Sequence, residues 1–476
     1  MTWTTPNFAD QQSFSPQSVF EAGERNHHVS NTAYPIAHEQ TWGPYRVGRA
    51  QYRESLQQAF AGIDNLCLYA HIPFCEKRCS FCEYTVVGRN ELNQTQEYMN
   101  RLYRELDMYA ELLGPRRLWG FDIGGGTPSF VEARLIAEFM ERVHRRFEGM
   151  DQLRVSIETT PSIAANQPDK LVAYRECGIQ RISMGIQVIQ PDLLLLLNRD
   201  NNGVEHHHQA VANLRAAGFD DFNVDVMYGF AGQSLASWQA TLEHALALNP
   251  EAITLYRMRY KLTRISHQAD QVSLDQVRQL ARWAKKRLAQ AGYQANPGKN
   301  TFTRVPGDTG TSDYISRRVI EGMPYLGLGL GAQTFTHTTI GYNDGAVGKN
   351  LLPYFRSLDA GNFPLQDHYQ LPLVHMMAKM ICVSFYFGEI DRQAFHDKFG
   401  RTLEQAYPAE IDYAVAQGLM EWKPRSLAMT THGEDHFSGL CALFHAPSVK
   451  AYLLGRDPEQ AGDFHKHRKL ALRVAG

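Results

Sequence analysis

The sequence has no segment that would cross a membrane or direct the chain across one. Its longest aliphatic run, Leu193 to Leu197, is far shorter than the roughly 20 apolar residues that span a bilayer. The first residues, MTWTTPNFADQQSF, lack the basic start and apolar stretch of a signal peptide. We therefore expect a cytoplasmic protein without a membrane partner.

The sequence also has no block of like charges. Its 48 basic and 50 acidic residues give a formal net charge of -2, which argues against a nucleic-acid partner. Hydrophobic residues make up 43% and charged residues 21%, as in soluble globular enzymes. A chain of 476 residues is too long for one ordinary core, so we expect a large catalytic domain and a smaller one.

Cysteine is too scarce for a disulfide framework. There are seven cysteines, an odd number, and three of them fall within the eight residues 75–82. This pattern is typical of a reducing compartment and a metal site.

Strand-like and helix-like segments alternate between about residues 65 and 335. Apolar runs predict strands at 66–72, 118–123, 154–158, 181–187, 222–228 and 252–256, and amphipathic patterns predict helices at 95–113, 133–147, 204–218 and 234–248. This alternation indicates βαβ units and a parallel sheet. The predicted fold is α/β, a partial (β/α)6 barrel whose chemistry lies where the strands end.

Two regions with different composition and patterns flank the predicted barrel at 61–340. Residues 1–60 are polar and contain turn-forming prolines, so we expect an extension lying over the barrel. Residues 341–476 predict helices at 368–385, 391–400 and 405–422 and a hairpin within 419–433. We interpret this part as a winged-helix-like α+β accessory domain, and without clustered basic residues it does not indicate DNA binding.

The strongest motif is HIPFCEKRCSFCEY, residues 71–84. Cys75, Cys79 and Cys82 follow a predicted strand in the spacing C-x3-C-x2-C. Three thiolates can ligate three irons of a [4Fe-4S] cluster and leave the fourth iron open to a methionine moiety. Structural zinc needs a fourth ligand, and the candidates Cys67 and His71 lie in the preceding strand, where alternate side chains diverge. The spacing therefore favours the cluster.

HIPFCEKRCSFC resembles the signature of radical S-adenosylmethionine (SAM) enzymes. IGGGTPSF, SIETTP, ISMGIQ, LLNRD, NVDVMYG and YLGLGLGAQTF follow in an order similar to that of the oxygen-independent coproporphyrinogen III oxidase (HemN-like) family. The resemblance covers about residues 65–335 and, more loosely, the C-terminal region. It implies a radical SAM barrel with a [4Fe-4S] cluster, in which a 5′-deoxyadenosyl radical abstracts hydrogen from the substrate.

The same resemblance implies two SAM molecules, a small-molecule substrate and an electron donor such as flavodoxin or ferredoxin. We expect a monomer, because the sequence has no amphipathic coiled coil and no exposed apolar repeat.

The resemblance also assigns residues to the cofactors. Taken alone, Gly124, Gly125, Gly126 and Thr127 form a tight turn, and polar residues near strand ends are ordinary surface groups. By resemblance, the glycine turn holds the SAM amino group, Arg199 suits the SAM carboxylate and Asp225 suits ribose hydroxyls. The full set of implied cofactor-binding residues is Tyr69, Phe81, Gly124, Gly125, Gly126, Thr127, Glu158, Gln187, Arg199 and Asp225.

Three further motifs have weaker interpretations. GLGLGA at 327–332 formally matches a dinucleotide-binding fingerprint, but no helix follows, so we predict a strand or loop that closes the barrel floor. His206, His207 and His208 are interpreted as a solvated helix start, because consecutive helical residues point in different directions. The alternating aromatic and basic residues at 256–261, YRMRYK, suit a pocket for an anionic or aromatic substrate.

One position departs from the resembled family. The coproporphyrinogen oxidases extend the motif to C-x3-C-x2-C-x-C, whereas this chain has Tyr84 at the last position, and we assign Tyr84 to the catalytic group with the three cysteines. The main hypothesis is therefore one-carbon transfer, as in class C radical SAM methyltransferases and cyclopropanases, with a second SAM as donor. The alternatives are oxidative decarboxylation of coproporphyrinogen III and a haem-binding chaperone, although such chaperones usually lack a long N-terminal extension.

Overall fold

A computed structural model describes residues 3–27, 29–30, 34–36, 38–260 and 263–456. Most of its strands belong to one eleven-stranded sheet. In chain order the strands are β1 (Asn65–Ile72), β2 (Arg117–Gly125), β3 (Val155–Thr159), β4 (Ile179–Gln187), β5 (Phe222–Tyr228), β6 (Ala252–Arg257), β7 (Thr301–Thr303), β8 (Tyr325–Leu328), β9 (Gln333–Phe335), β10 (Thr339–Asn343), β11 (Leu365–Gln370), β12 (Glu389–Asp391), β13 (Met420–Trp422) and β14 (Ser426–Met429).

Helices surround this sheet and form most of the C-terminal region. In chain order they are α1 (Pro16–Arg25), α2 (His38–Thr41), α3 (Tyr52–Ala59), α4 (Thr95–Leu113), α5 (Ala133–Arg146), α6 (Pro161–Asn166), α7 (Pro168–Glu176), α8 (Pro191–Leu196), α9 (Val204–Ala216), α10 (Leu235–Ala247), α11 (Leu274–Gln290), α12 (Asp313–Ile320), α13 (Leu351–Asp359), α14 (Leu373–Ser384), α15 (Arg392–Phe399), α16 (Leu403–Ala406), α17 (Pro408–Ala416), α18 (Thr431–Asp435), α19 (Phe437–Leu443) and α20 (Pro447–Leu454). No described helix is both long and apolar enough to cross a membrane.

The predicted partial barrel is confirmed. β1 to β6 are neighbours in chain order and pair in parallel. The predicted strand at 222–228 is β5 itself, and the other five predicted strands match β1, β2, β3, β4 and β6 within two residues at each end. The four predicted helices correspond to α4, α5, α9 and α10.

Alternate residues of these strands explain where the core and the cavity lie. In β5, Val224 and Val226 point outward into the main apolar core, while Asn223 and Asp225 line an internal cavity. Successive side chains of a strand point to opposite faces. The inner face of this strand therefore gives the cavity a polar wall that can contact a polar ligand.

Further strands extend the sheet on both sides of the parallel set. β7 pairs antiparallel to β6, and β8 pairs parallel to β1 on the side opposite β2. β9, β10 and β11 continue beyond β8 as antiparallel strands. The segment 327–332 thus ends a strand and turns into β9. The large sheet runs to Gln370, past residue 340, the predicted end of the barrel domain.

The C-terminal region contains a second, three-stranded sheet in the order β12-β14-β13. The predicted hairpin is confirmed, because β13 and β14 pair antiparallel. The fold is thus the expected α/β barrel followed by a smaller α+β unit.

The N-terminal segment shares a core with the C-terminal helices. Apolar residues of α1, including Val19, lie in the same buried cluster as Leu440 of α19. Gly23 of α1 lies so close to α19 that an added Cβ would be 2.6 Å from the Cβ of Ala442. By contrast, α3, through side chains such as Leu56, joins the core of the barrel. The domain boundaries remain predictions.

A buried polar network connects the two ends of the chain. His375 of α14 is fully buried, and its Nε2 lies 2.9 Å from Asp10 Oδ2. Trp42 Nε1 donates a hydrogen bond to His375 Nδ1 at 3.0 Å. An indole N–H can only donate, so the imidazole proton is on Nε2 and faces Asp10. Asp10 also accepts the backbone N–H of Ser448 at 3.0 Å.

Candidate active site

A cavity of about 1430 Å³ lies inside the partial barrel. The segment that carries the three clustered cysteines forms part of its wall, and the inner faces of the barrel strands form another part. Residues of the C-terminal region, including Tyr386 and Ser438, line it as well, as does Glu24 of α1. The cavity is therefore enclosed by parts of the chain that are distant in sequence.

Cys75, Cys79 and Cys82 all line this cavity as free, half-buried thiols. The N–H of Cys82 donates to the carbonyl of Cys79 at 3.2 Å, which makes the loop tight. Two side chains from the barrel approach the sulfur atoms. Thr127 Oγ1 lies 3.4 Å from Cys75 Sγ, and Arg199 Nη1 donates to Cys79 Sγ at 3.2 Å.

Polar contacts fix the segment that follows the third cysteine. Lys349 Nζ donates to the carbonyls of Glu83 at 2.8 Å and Tyr84 at 2.9 Å. The Glu83 carboxylate pairs with Arg259, which lies just beyond β6. These contacts hold Tyr84 at the cavity wall, where it is 58% exposed.

The thiols fit the [4Fe-4S] cluster that the motif predicts. An added Cβ on Gly126 would lie 2.9 Å from Cys75 Sγ and 2.7 Å from the Phe74 carbonyl oxygen, so glycine leaves room beside this thiol. Within the described ranges, no three His, Cys, Asp or Glu side chains are close enough to share a single ion. Burial raises the pKa of Cys75 to about 12 and also raises that of Cys82. Bound iron would hold these groups as thiolates.

The glycine turn after β2 lets two polar side chains meet. An added Cβ on Gly124 would be 2.9 Å from Glu158 Oε1 and 3.0 Å from the Tyr69 hydroxyl. Gly125 has a φ of 126°, a conformation that side-chain-bearing residues rarely adopt. The turn therefore needs glycine at both positions, although Gly124 itself does not line the cavity.

Three carboxyl groups from β2, β3 and β5 line the inner wall. Burial, reinforced by the charges of Asp225 and Asp122, raises the pKa of Glu158 to about 8. Burial raises the pKa of Asp225 to about 6, and Asn223 Nδ2 donates to Asp225 Oδ1 at 2.6 Å. This wall therefore has groups that can accept or donate hydrogen bonds near neutral pH.

Asp122 was not singled out from the sequence, although a carboxylate inside an apolar predicted strand is a usable signal. Its Oδ2 accepts a hydrogen bond from Ser312 Oγ at 2.6 Å, while its buried Oδ1 has no partner among the described residues. Burial raises the pKa of Asp122 to about 7.

Gln187 and Arg199 also carry unsatisfied polar atoms. Gln187 ends β4 with a φ of 66°, and its buried Oε1 has no partner in the described chain. Arg199 Nη2 donates to the Gly185 carbonyl at 2.5 Å, but its buried Nε is unpaired within the described ranges. Buried polar atoms without partners are rare and costly, so these atoms fit a wall that a polar ligand completes.

The aromatic site residues lie on the same cavity. Tyr69 stacks on Tyr314 with ring centroids 5.7 Å apart, and its hydroxyl lies 3.3 Å from His71 Nδ1. The Phe81 ring lies 6.5 Å from that of Phe230. The structure thus brings every predicted site residue except Gly124 to one cavity. Their individual roles remain proposals.

Two weaker predictions have different outcomes. Tyr256, Arg257, Arg259 and Tyr260 line the cavity as expected, and Lys261 lies outside the described residues. His207 is fully buried, with its Nδ1 2.8 Å from His244 Nε2. The expected solvated helix start was therefore wrong for His207, because its ring is buried against His244 of α10 and the Asn202 carbonyl.

Residues 69–245 match the model of the Radical SAM superfamily. This match contains the cysteine loop, the glycine turn and the three inner carboxyl groups, so the chain carries a radical SAM domain. Proteins of this superfamily use a [4Fe-4S] cluster and SAM, which agrees with the cavity described above.

Full-length relatives resemble the chain well beyond this domain. It is 25% identical over 391 residues to "Heme chaperone HemW" of Haemophilus influenzae, covering 80% of this chain and 97% of that protein. It is 25% identical over 401 residues to "Oxygen-independent coproporphyrinogen III oxidase" of Salmonella typhimurium, covering 80% and 85%. The solved structure of coproporphyrinogen III oxidase (HemN) from Escherichia coli matches with a TM-score of 0.71 and 23% identity, covering 87% of this chain and 96% of that one. This last likeness shows a shared fold.

These relatives change the balance between the functional hypotheses. They support a radical SAM enzyme, and they favour the decarboxylation and haem-binding alternatives over the one-carbon transfer that we expected from Tyr84. Methylation and cyclopropanation gain no support from them.

Proposed function

We propose that this chain is a radical SAM enzyme that oxidatively decarboxylates propionate side chains of a coproporphyrinogen-type tetrapyrrole. The observation that carries the proposal is the cavity itself. It is large, it begins at the cysteine loop and it continues under the C-terminal region, so a bulky substrate can reach bound SAM without leaving the enclosed space.

The chemistry of the cavity wall suits such a substrate. Tyr256, Tyr314 and Tyr386 offer flat aromatic surfaces for a macrocycle. Arg257 and Arg318 also line the cavity, and neither forms an ion pair among the described residues. Guanidinium groups bind carboxylates well, and coproporphyrinogen III carries four propionates.

The residues of the chain would bind, orient and shield the reactants. Arg199 would hold the SAM carboxylate, the glycine turn its amino group and Asp225 its ribose hydroxyls, while Glu158 would add a further contact to SAM and Phe81 would exclude water. When bound, the cluster supplies one electron for cleavage of a SAM carbon–sulfur bond, which yields the 5′-deoxyadenosyl radical. Removal of one hydrogen atom from a propionate, loss of one further electron to a one-electron acceptor protein and release of CO₂ leave a vinyl group.

The test is an anaerobic turnover experiment. Protein reconstituted with iron and sulfide is reduced with dithionite, freed of the excess and mixed with SAM, coproporphyrinogen III and an oxidised one-electron acceptor protein such as flavodoxin, and the products are followed by mass spectrometry. We expect protoporphyrinogen IX and 5′-deoxyadenosine from the wild type and from Cys177→Ala, whose cysteine lies outside the cavity. Cys79→Ala should form neither product.

The same experiment can contradict the proposal. Formation of 5′-deoxyadenosine without decarboxylation would exclude coproporphyrinogen III as the substrate. S-adenosylhomocysteine alongside a methylated product would instead restore one-carbon transfer, the reaction that Tyr84 first suggested.

A haem chaperone is the second candidate, because the similarity to HemW extends over 97% of that protein. A haem titration separates the two functions. A chaperone should shift the Soret band at micromolar haem and release no decarboxylated tetrapyrrole, whereas the proposed enzyme should turn over without prior haem loading.

A further inference from the structure

We infer that Arg318 is the centre of a carboxylate-binding subsite in the wall of this cavity. The subsite would receive one carboxylate of the substrate and so fix which part of the molecule faces the cysteine loop. The identity of that substrate rests on the proposed function, whereas the chemistry of the subsite rests on the contacts of Arg318.

Close packing of α12 against the barrel brings Arg318 to the cavity. An added Cβ on Gly120 of β2 would lie 2.4 Å from the backbone nitrogen of Tyr314, so glycine lets the helix approach the strand. As a result, side chains of this helix reach the cavity wall, which includes Tyr314, Ile315 and Arg318.

The guanidinium group is held between aromatic rings. Its Nη1 donates to the Tyr314 hydroxyl at 3.1 Å. Its central carbon lies 5.5 Å from the centroid of Tyr314 and 5.2 Å from that of Tyr325. Its buried Nε has no partner among the described residues. One edge of the guanidinium is thus fixed, while donors for an anion are unused.

Like Arg257, Arg318 lacks the acidic partner that several other cations on this wall have. Arg259 pairs with Glu83, Arg282 with Asp435 at 2.8 Å, and Lys285 with Glu434. In the described chain, no carboxylate lies within 4.0 Å of Arg318.

The charges around Arg318 leave the site positive. Asp122 is the acidic group whose charge interacts with Arg318, but its pKa of about 7 keeps it partly protonated near neutral pH. From α14, Lys379 donates to the Tyr34 carbonyl at 3.0 Å, and burial together with the charge of Arg318 lowers the pKa of Lys379 to about 7, so its positive charge is partial near neutral pH. Tyr386 is the other polar group that faces Arg318 from the segment after α14.

A carboxylate is the ligand that this geometry favours. The planar guanidinium matches a carboxylate in a two-bond contact, and the rings of Tyr314 and Tyr325 flank it at 5.5 and 5.2 Å. Ammonium or neutral groups would leave the positive charge uncompensated.

The chain offers a matched control on the same helix. Arg317 pairs with Glu321 and lies over the ring of Trp119 at 4.6 Å. It does not line the cavity, so it reports general effects of losing an arginine from α12.

The first measurement does not depend on the tetrapyrrole. Wild-type holoprotein is treated with phenylglyoxal, and labelling of individual arginines is quantified by peptide mass spectrometry. We expect propionate to protect Arg318, propionamide to leave it labelled, and neither to change Arg317. Unchanged labelling in propionate, or an Arg318 that takes no label, would overturn the subsite.

The second measurement uses coproporphyrin III and its tetramethyl ester as air-stable probes of binding to SAM-loaded protein. Loss of a hydrogen bond to a charged group costs about 1.5–3 kcal/mol, so Arg318→Met should weaken binding of the acid about 10- to 150-fold. Arg317→Met should bind like wild type, Arg318→Lys should lie between them, and the ester should not distinguish the proteins. Equal SAM affinity in all variants would show that the substitutions leave the fold intact.

The outcomes separate the two proposals. If wild type binds coproporphyrin III and Arg318→Met binds it equally well, the subsite is wrong and the proposed function stands. If propionate protects Arg318 but coproporphyrin III does not bind, the subsite stands and the tetrapyrrole substrate is wrong.

Discussion

Glycine residues, which have no side chain, shape the end of the cavity near the cysteines. Gly126 leaves space beside Cys75, and Gly124 lets Glu158 and Tyr69 approach each other. At these positions one additional carbon atom would occupy space that a cofactor or a neighbouring side chain needs.

The substitution Gly126→Ala adds one carbon atom and tests whether the space beside Cys75 is needed. The added Cβ would lie 2.9 Å from Cys75 Sγ and 2.7 Å from the Phe74 carbonyl oxygen, so the thiol or the backbone must shift. We expect at least a roughly tenfold loss of activity, since misplacements of about 1 Å near a reaction cost up to 10²-fold, together with lower iron content after reconstitution. Gly43→Ala, where the added carbon meets nothing within 4 Å, should retain full iron; equal iron in both variants would contradict the steric argument.

Asp122→Asn tests the electrostatics of the inner wall. The folded pKa of Asp122 is about 7, above an unfolded value of about 3.9. As pH rises from 4 to 7, the unfolded chain loses this proton first, so the wild type loses stability over that window. In SAM-free protein the variant should match wild type near pH 4 and exceed it by about 1 kcal/mol above pH 7, the value being reduced because the cavity admits water.

Urea unfolding at a series of pH values measures this difference. Asp151→Asn, whose side chain is 88% exposed, should show no such pH-dependent gain. A difference between Asp122→Asn and wild type that stays constant from pH 4 to pH 8 would contradict the assignment.

At the scale of secondary structure, local sequence patterns predicted the six parallel strands but missed short strands that extend the sheet, such as β7 and β9. β1 to β6 are apolar runs bounded by turn residues, which is a local signal. β7 and β9 contain three residues each, and their pairing depends on partners far along the chain. Strands of this length have too few residues to show a period of two.

The candidate site likewise contains some residues that the sequence reveals and others that only the structure reveals. The cysteine spacing and the polar strand ends are visible in the sequence, because parallel strands bring their carboxyl ends to one edge. Arg318 was missed because its significance depends on Tyr325, Gly120 and the absence of a carboxylate, and none of these is adjacent to it in sequence.

Lys349→Met tests how a distant loop supports the cysteine segment. Lys349 Nζ donates to the carbonyls of Glu83 and Tyr84, and methionine keeps the length of the side chain without these bonds. Because Cys82 directly precedes this segment, we expect the variant to lose cluster absorbance to a chelator several times faster than wild type. Lys286→Met, on the exposed face of α11, is the control, and equal loss rates for the two variants would contradict the role of Lys349.

At the scale of the whole molecule, residues near the two ends of the sequence complete one structure. Burial alone would raise the pKa of Asp10, but hydrogen bonds from His375, Ser448 and Tyr45 lower it. Asp10 is therefore a buried charge that depends on partners up to 438 positions away.

His375→Ala should release the N-terminal segment from the C-terminal helices. The substitution removes the proton donor of a buried carboxylate and leaves a cavity, so we expect a loss of about 3–5 kcal/mol of unfolding free energy. Limited proteolysis should then cleave first within residues 3–45. His396 has a side chain that is 54% exposed, so His396→Ala should change neither the stability nor the cleavage pattern. If the two variants behave alike, His375 does not hold the N-terminal segment on the C-terminal helices.

The connection between Asp10 and Ser448 also sets an order of events during protein synthesis. Asp10 leaves the ribosome early, yet the backbone N–H that it accepts belongs to a residue made more than four hundred positions later. Residues 385–387 and 437–438, which line the cavity, are also translated after the cysteine loop. Until these residues are made, the part of the cavity wall that they form is absent, so the thiols of a nascent chain are less enclosed than those of the finished protein. Loading of an oxygen-sensitive cluster is best protected when it follows release of the finished polypeptide.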